Sequence, residues 1–217
     1  QDYKKIRKKH PDLVISDIMM PRMDGYALCS AIKDSVETSH IPVILLTSKT
    51  RNEARQEGFF KGADAYVGKP FNLRELDLQV RNILRFRENL RNHFASFGAL
   101  EEHVTTLGNK DQMLIKSLTA TVHKHLDNGS FDVDMFCKET NLSRTLLHMK
   151  LKKITGLSAT GFIKNIRLNE ARKMLQENNL TVAEISYRVG YNDPAYFSKT
   201  FKKFFGKSPS EIHDNNS

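Results

Sequence analysis

Asp17, Thr47 and Lys69 offer an acid, a hydroxyl and an amine, each at the end of a short apolar run bounded by turn residues. Residues 13–15 lead into Asp17, which is followed by Met19, Met20, Pro21 and an Asp24-Gly25 turn. Residues 41–48 carry Val43, Ile44, Leu45 and Leu46 and reach Thr47 thirty positions after Asp17. Residues 63–71 carry Ala65, Tyr66 and Val67 and end in Lys69-Pro70. In open parallel α/β sheets chemistry sits outside the carboxyl ends of the strands, so three such strands would present these groups at one end. Singly, each has a plainer reading: a turn aspartate, a strand-end hydroxyl, a strand aromatic in Tyr66, a solvated lysine. Together, at these spacings, they form a candidate site.

The segments between the strands must cover the sheet. Residues 26–33 follow the Asp-Gly turn with Ala27, Leu28, Ala31 and Ile32 on a helical pattern; residues 51–61 are polar apart from Phe59 and Phe60 and stop at Gly62. Residues 1–10 read as the end of an exposed basic helix. From Asn72 a helical pattern runs to residue 97, with Leu76, Val80, Ile83, Arg87, Leu90, Phe94 and Phe97 alternately four and three apart. Such a helix would extend about 39 Å. The stripe either packs on the first domain and then the next, or forms a parallel dimer seam; the seam is the preferred reading. Residues 98–109 lose the stripe and read as a linker.

At 217 residues the chain has room for two domains, each with its own core. Its formal charge of +9 divides as +3 over residues 1–108 and +6 over residues 109–217. An anionic partner is expected, and if that partner is nucleic acid the second half should hold it. No run approaches the ~18 apolar residues of a membrane span, and the chain does not open on the apolar core of a signal peptide. Cys29 and Cys137 fit no metal or redox spacing and read as reduced thiols in helices. A cytoplasmic location is expected.

The second half repeats itself. Asp132-Val133-Asp134-Met135-Phe136-Cys137 recurs as Thr181-Val182-Ala183-Glu184-Ile185-Ser186, offset by 49. Each copy opens on a residue suited to cap a helix, turns at Asn141-Leu142 or Gly190-Tyr191-Asn192, and starts a second helix on Ser143 or Asp193. Both then read Lys-Lys (152–153 and 202–203) and reach Gly156 or Gly206. This is a helix-turn-helix made twice, over 132–156 and 181–206. A single helix over 159–177, with Phe162, Ile163, Ile166, Ala171 and Leu175 as its apolar stripe, would space the copies.

The Asp17 segment with its Pro21 and Asp24-Gly25, Thr47, and Tyr66 with Lys69-Pro70 together resemble a response-regulator receiver domain, the CheY-like fold. The resemblance implies a doubly wound parallel α/β sheet. Two strands and a helix precede this point in the family, so residues 1–71 would be a partial receiver core with an open edge along the Asp17 strand. On that reading the chain is the C-terminal part of a longer protein, and residues 72–97 extend the last receiver helix. The family's chemistry would make Asp17 the phosphoacceptor, taking its phosphoryl group from a histidine kinase domain in the same or a separate chain. Mg²⁺ would be held in an intact receiver by Asp17 and the main-chain carbonyl of Met19. Lys69 would neutralise phosphoryl oxygens, Thr47 would donate to one of them, and Tyr66 would swing inward as the switch. Lys69-Pro70 is a candidate cis bond.

Phe162-Ile163-Lys164-Asn165-Ile166-Arg167-Leu168, the run from Gly190-Tyr191-Asn192-Asp193-Pro194 through Tyr196-Phe197-Ser198-Lys199 to Lys203, and Gly206-Lys207-Ser208-Pro209 resemble the AraC family DNA-binding domain. Ile212-His213 departs from the aromatic-Arg pair often found there. The resemblance implies an all-α domain over residues 110–217 whose two second helices read double-stranded promoter DNA. Early exposed positions should face base edges and flanking lysines should face phosphates. In copy one these are Arg144, Thr145, His148 and Met149, with Lys152 on the backbone. In copy two they are Ala195, Ser198 and Lys199, with Lys202 on the backbone.

The two resemblances in this order imply a two-component regulator that is phosphorylated on Asp17, dimerises and binds promoter DNA. It would not be an enzyme beyond assisting its own phosphorylation and dephosphorylation. The same order resembles the end of hybrid regulators, whose upstream sensor and kinase domains tether them to the bacterial inner membrane. Two other readings stand beside it: a phosphorelay or phosphatase module, and a degenerate receiver serving as a dimerisation scaffold.

Overall fold

A computed structural model describes residues 2–21, 23–48, 62–96, 109–177 and 180–213. The helix expected over 51–61, most of the expected linker, and Phe97 lie outside those residues. The chain divides into two compact units, the first built mainly from residues 1–90 and the second mainly from residues 114–217.

In chain order the first unit contains α1 (Asp2–Lys9), β1 (Val14–Asp17), α2 (Gly25–Asp34), β2 (Val43–Thr47), β3 (Ala65–Gly68) and most of α3 (Leu73–Ser96). The three strands are parallel in the order β1-β2-β3, with Asp17 opposite Leu46 and Thr47 opposite Gly68. Parallel neighbours need a long crossover, which α2 supplies between β1 and β2. Central β2 is an unbroken apolar run because both its faces are covered; Val43, Ile44 and Leu45 are fully buried. Tyr26, Leu28, Cys29 and Ile32 of α2 pack on Ile41, Val43 and Leu45, and Tyr3 and Ile6 of α1 close the same cluster. Among the described strands β1 pairs with β2 alone.

Helix α3 starts where the Asn72 side chain accepts the Arg74 N–H (2.9 Å). Over the stretch whose side chains are described, the stripe read as a dimer seam is partly covered by the chain itself. Leu76, Val80, Ile83 and Arg87 are half-buried within the chain itself. Arg87 donates to the His40 carbonyl and pairs with Asp64 (3.4 Å). Asp64 also accepts from Lys33 Nζ (2.6 Å) and the Val43 N–H (2.8 Å), so one carboxylate ties α2, the entry to β2 and α3 together. The polar interruption of the stripe is therefore a structural cation, since a guanidinium can span a carbonyl and a carboxylate at once. Among the described residues, the large apolar side chains that α3 turns to solvent are Leu73, Leu78 and Phe86.

The second unit takes most of α4 (Asn109–Lys124), then α5 (Val133–Thr140), α6 (Arg144–Thr155), α7 (Ala159–Glu177), α8 (Val182–Arg188), α9 (Pro194–Phe205) and α10 (Pro209–His213). Asn109, assigned to the linker from sequence, is the first residue of α4. The repeat is visible in its caps. Asp132, Ser143, Thr181 and Asp193 each accept a backbone N–H at a helix start, and Thr181 forms a full capping box with Glu184. Asn141 (φ 54°) and Gly190 (φ 76°) turn the two motifs, and Gly156 and Gly206 end their second helices in the same left-handed conformation. Phe162 near the start of α7 stacks on Phe136 of α5 (ring centroids 6.3 Å). Further along α7, Leu168, Ala171 and Leu175 bury against Ile185, Val189, Phe197 and Phe201 of the second copy. Phe201 packs on the rings of Phe197 and Phe205 and is fully buried. Replacing it with alanine should lower the unfolding free energy by about 3–5 kcal/mol, read as a shifted urea midpoint.

Candidate functional site

At the carboxyl edge of the sheet the parallel register brings Asp17, Thr47 and Lys69 to one end. Lys69 follows Gly68, the partner of Thr47, and its N–H donates to the Thr47 carbonyl (2.6 Å). Its ammonium is ion-paired with the Asp17 carboxylate, each side chain about one-third exposed. The Lys69-Pro70 bond is cis. The other Asp17 oxygen accepts the Met19 N–H (3.3 Å). Thr47 is buried, whereas Met19 is largely exposed. Tyr66, two residues before Gly68, lies half-buried against the α2 cluster, and burial pushes its hydroxyl up to about 12.

Gly25 holds this edge in a way that composition alone did not reveal. A Cβ there would stand 2.3 Å from the Asp17 carbonyl oxygen, so the first turn of α2 can approach the strand end only as glycine. Its N–H donates to the Ile18 carbonyl (2.9 Å), and Asp24 caps α2 through the Ala27 N–H (2.6 Å). The Asp-Gly pair therefore fixes the loop that carries Met19. The clue in sequence was a glycine at the first helical position, where no left-handed turn required one.

In the second unit Arg144, Thr145 and His148 are exposed on α6, and Met149 is half-buried. On α9, Ala195, Lys199 and Lys202 are exposed and Ser198 is half-buried. Three of these nine expected contacts are already engaged within the chain. Arg144 pairs with Asp134 (3.1 Å), Lys152 donates to the Gly156 carbonyl (2.9 Å), and the Ser198 hydroxyl donates to the Pro194 carbonyl (2.9 Å). An exposed pair such as Arg144–Asp134 is worth little and is easily exchanged for another anion. Tyr196, beside Ala195 and not among the expected contacts, is 61% exposed.

Comparison with known proteins places both halves. Residues 1–81 match the family model of the response regulator receiver domain, and residues 136–215 match that of a helix-turn-helix domain. The C-terminal domain of AraT, a response regulator from Geobacillus stearothermophilus, is 28% identical over 46% of this chain and 83% of its own (TM-score 0.43). The first part of the chain is thus similar to response regulator receiver domains and the last part to helix-turn-helix domains. The receiver domain of a signal transduction histidine kinase from Syntrophus aciditrophicus is 37% identical over 39% of this chain and 64% of its own (TM-score 0.36). Histidine kinase P4 of Formosa agariphila is 41% identical over 204 residues, 94% of this chain. The chain spans 15% of that relative's length. Among the described residues no helix is long and apolar enough to cross a membrane.

A receiver's metal needs several hard oxygen ligands. Asp17 and the Met19 carbonyl supply that chemistry, but no group of three acids, histidines or cysteines gathers among the described residues. These two oxygens do not make a magnesium site by themselves.

The receiver's acid is already tuned. Lys69, by hydrogen-bonding the charged form, holds the Asp17 carboxyl below the usual carboxylate range; the Met19 and Ile18 N–H groups assist, and desolvation works against them. Stability from this pair is present above the unfolded carboxyl's pKa and is lost as pH falls through the lower folded value. In Lys69→Met, carboxyl NMR should show Asp17 titrating at higher pH than in the parent chain. An unmoved titration would mean the ion pair does not set the acid's charge.

Proposed function

We propose that this chain is the output end of a phosphorylation-controlled transcription regulator. The observation that carries the reading is the Asp17–Lys69 pair at one sheet edge with Thr47, in a chain that also holds two capped helix-turn-helix units. A carboxylate oxygen of Asp17 attacks the phosphorus of a phosphohistidine. The new O–P bond forms as the P–N bond breaks, and the imidazole nitrogen leaves and takes a proton. Lys69, now neutralising the carboxylate, turns to the phosphoryl oxygens, and Thr47 donates to one of them. Tyr66, on β3 three residues before Lys69, would read the change as a shift in its packing.

The +6 excess of residues 109–217 supports double-stranded DNA as the partner. The Formosa agariphila relative, a histidine kinase aligned over nearly all of this chain, supports a histidine kinase domain as phosphodonor in the same polypeptide. Dimerisation belongs to this reading too, and Leu73, Leu78 and Phe86 are apolar side chains that α3 exposes among the described residues.

Binding of the full-length parent to a selected promoter fragment, with and without a small acyl phosphate and beside Asp17→Asn, tests the switch at fixed salt. Tighter binding on phosphorylation, absent in Asp17→Asn, is expected. Equal binding in all three states would leave the receiver a scaffold. Among the reading residues, Lys199→Ala should relax sequence preference at a cost of about 1–3 kcal/mol. Lys202→Ala should weaken all duplexes alike and lower the salt slope by about 0.9, both read from salt titrations of binding.

A further inference from the structure

The turn of the second helix-turn-helix sits directly on the segment that leads into the first. A Cβ on Gly190 would lie 2.6 Å from the Leu126 carbonyl oxygen, and one on Gly129 would lie 2.5 Å from the Asn192 side-chain oxygen. Under this seam runs Arg167, from the middle of α7 and only 8% exposed. Its guanidinium donates to the Asn128 carbonyl (2.6 Å) and, more weakly, to the Gly190 carbonyl (3.4 Å). One planar cation thereby ties the entry to copy one, the spacer helix and the turn of copy two. A cleft of about 540 Å³ opens beside the junction, with Lys164, Arg167, Tyr191 and Tyr196 in its wall. Leu126 and Tyr191 pack on the apolar cluster of the second copy, and the guanidinium adds to that packing contacts of fixed direction across the seam.

We propose that Arg167 is a positioning residue that sets the phase between the two reading helices, and so the half-site spacing the chain accepts. The inference rests on the DNA-binding reading. Asn128 lies just ahead of α5 and α6, and Gly190 lies just ahead of α9, so a rotation at the seam swings α9 relative to α6. Major grooves on one face of DNA recur about every 34 Å, and a tilt of about 10° on an arm of that length moves its end by about 6 Å. Base pairs are spaced about 3.4 Å, so that error is close to two steps of the helix. Lysine at this position keeps the charge but not the fork that reaches two carbonyls.

The test uses the whole chain and three duplexes: selected half-sites at their native spacing, the same half-sites two base pairs further apart, and one half-site alone. In Arg167→Met the native-to-extended affinity ratio should fall about tenfold, while single half-site binding stays within about twofold. Arg167→Lys should fall with it. A purely structural role would weaken all three duplexes in proportion, and an unchanged ratio overturns the inference. Should Arg167→Met fail to fold, Gly129→Ala presses on the same seam from the Asn192 side and must shift the ratio in the same direction; no shift overturns the inference. A wild-type chain that binds selected and random duplexes alike would instead sink the DNA-binding reading, and the inference with it.

Discussion

The second unit depends on one helix being buried along two stretches by two partners. Helix α7 gives Phe162, Ile163 and Ile166 to the interior near its start and Leu168, Ala171 and Leu175 to the second copy further on. A helix that serves one surface shows a single apolar stripe; one with partners around it does not. Arg167 sits where the two stretches meet, so its charge enters the interior between two apolar sets. Burial of that kind is tolerated only with hydrogen-bond partners, and the carbonyls of Asn128 and Gly190 provide them. The two reading motifs share a core through α7 and are not independent beads on a string.

The receiver obeys a different constraint. Parallel strands end at the same edge by construction, so an acid, a hydroxyl and an amine at three strand ends are assembled without any contact between distant loops. What the fold must add is a close approach of α2 to the end of β1, and Gly25 supplies it by lacking a Cβ. The Asp64 hub does comparable work at the opposite end, gathering Lys33, Arg87 and the Val43 N–H. Chemistry at one end and ion pairing at the other leave the middle of the sheet to apolar packing.

Much of this was legible in the chain because it is local. Caps lie within three residues of the N–H they accept, so Asp132, Ser143, Thr181 and Asp193 could be read directly, and their offsets of 49 and 50 exposed the repeat. Strand-end residues Asp17, Thr47 and Lys69 follow from short apolar runs. Arg87 and Arg167 were not legible in the same way. Their carbonyl partners, His40 and Asn128, are 47 and 39 residues away, and no period in the sequence points to them. Arg87 looked like a defect in a heptad stripe, when it is the position that ties the stripe to its own domain. The hydroxyl of Ser198 was offered to bases, yet a helix interior gives serine the nearer carbonyl of Pro194.

A regulator of the proposed kind works only if its two copies bind as one reader. Each copy exposes few side chains to read bases, and the lysines beside them recognise any duplex. Specificity then comes from requiring both copies at once, because the second binding event is intramolecular and its effective concentration collapses when the geometry is wrong. A loose joint would recover some affinity at every spacing and lose discrimination among them. Glycines at 129 and 190 that let the Asn192 side chain and the Leu126 carbonyl come close, and a buried guanidinium holding both sides, are what a stiff joint requires. On the proposed reading, the contacts around α7 that hold this half of the chain together are also the ones that set its selectivity.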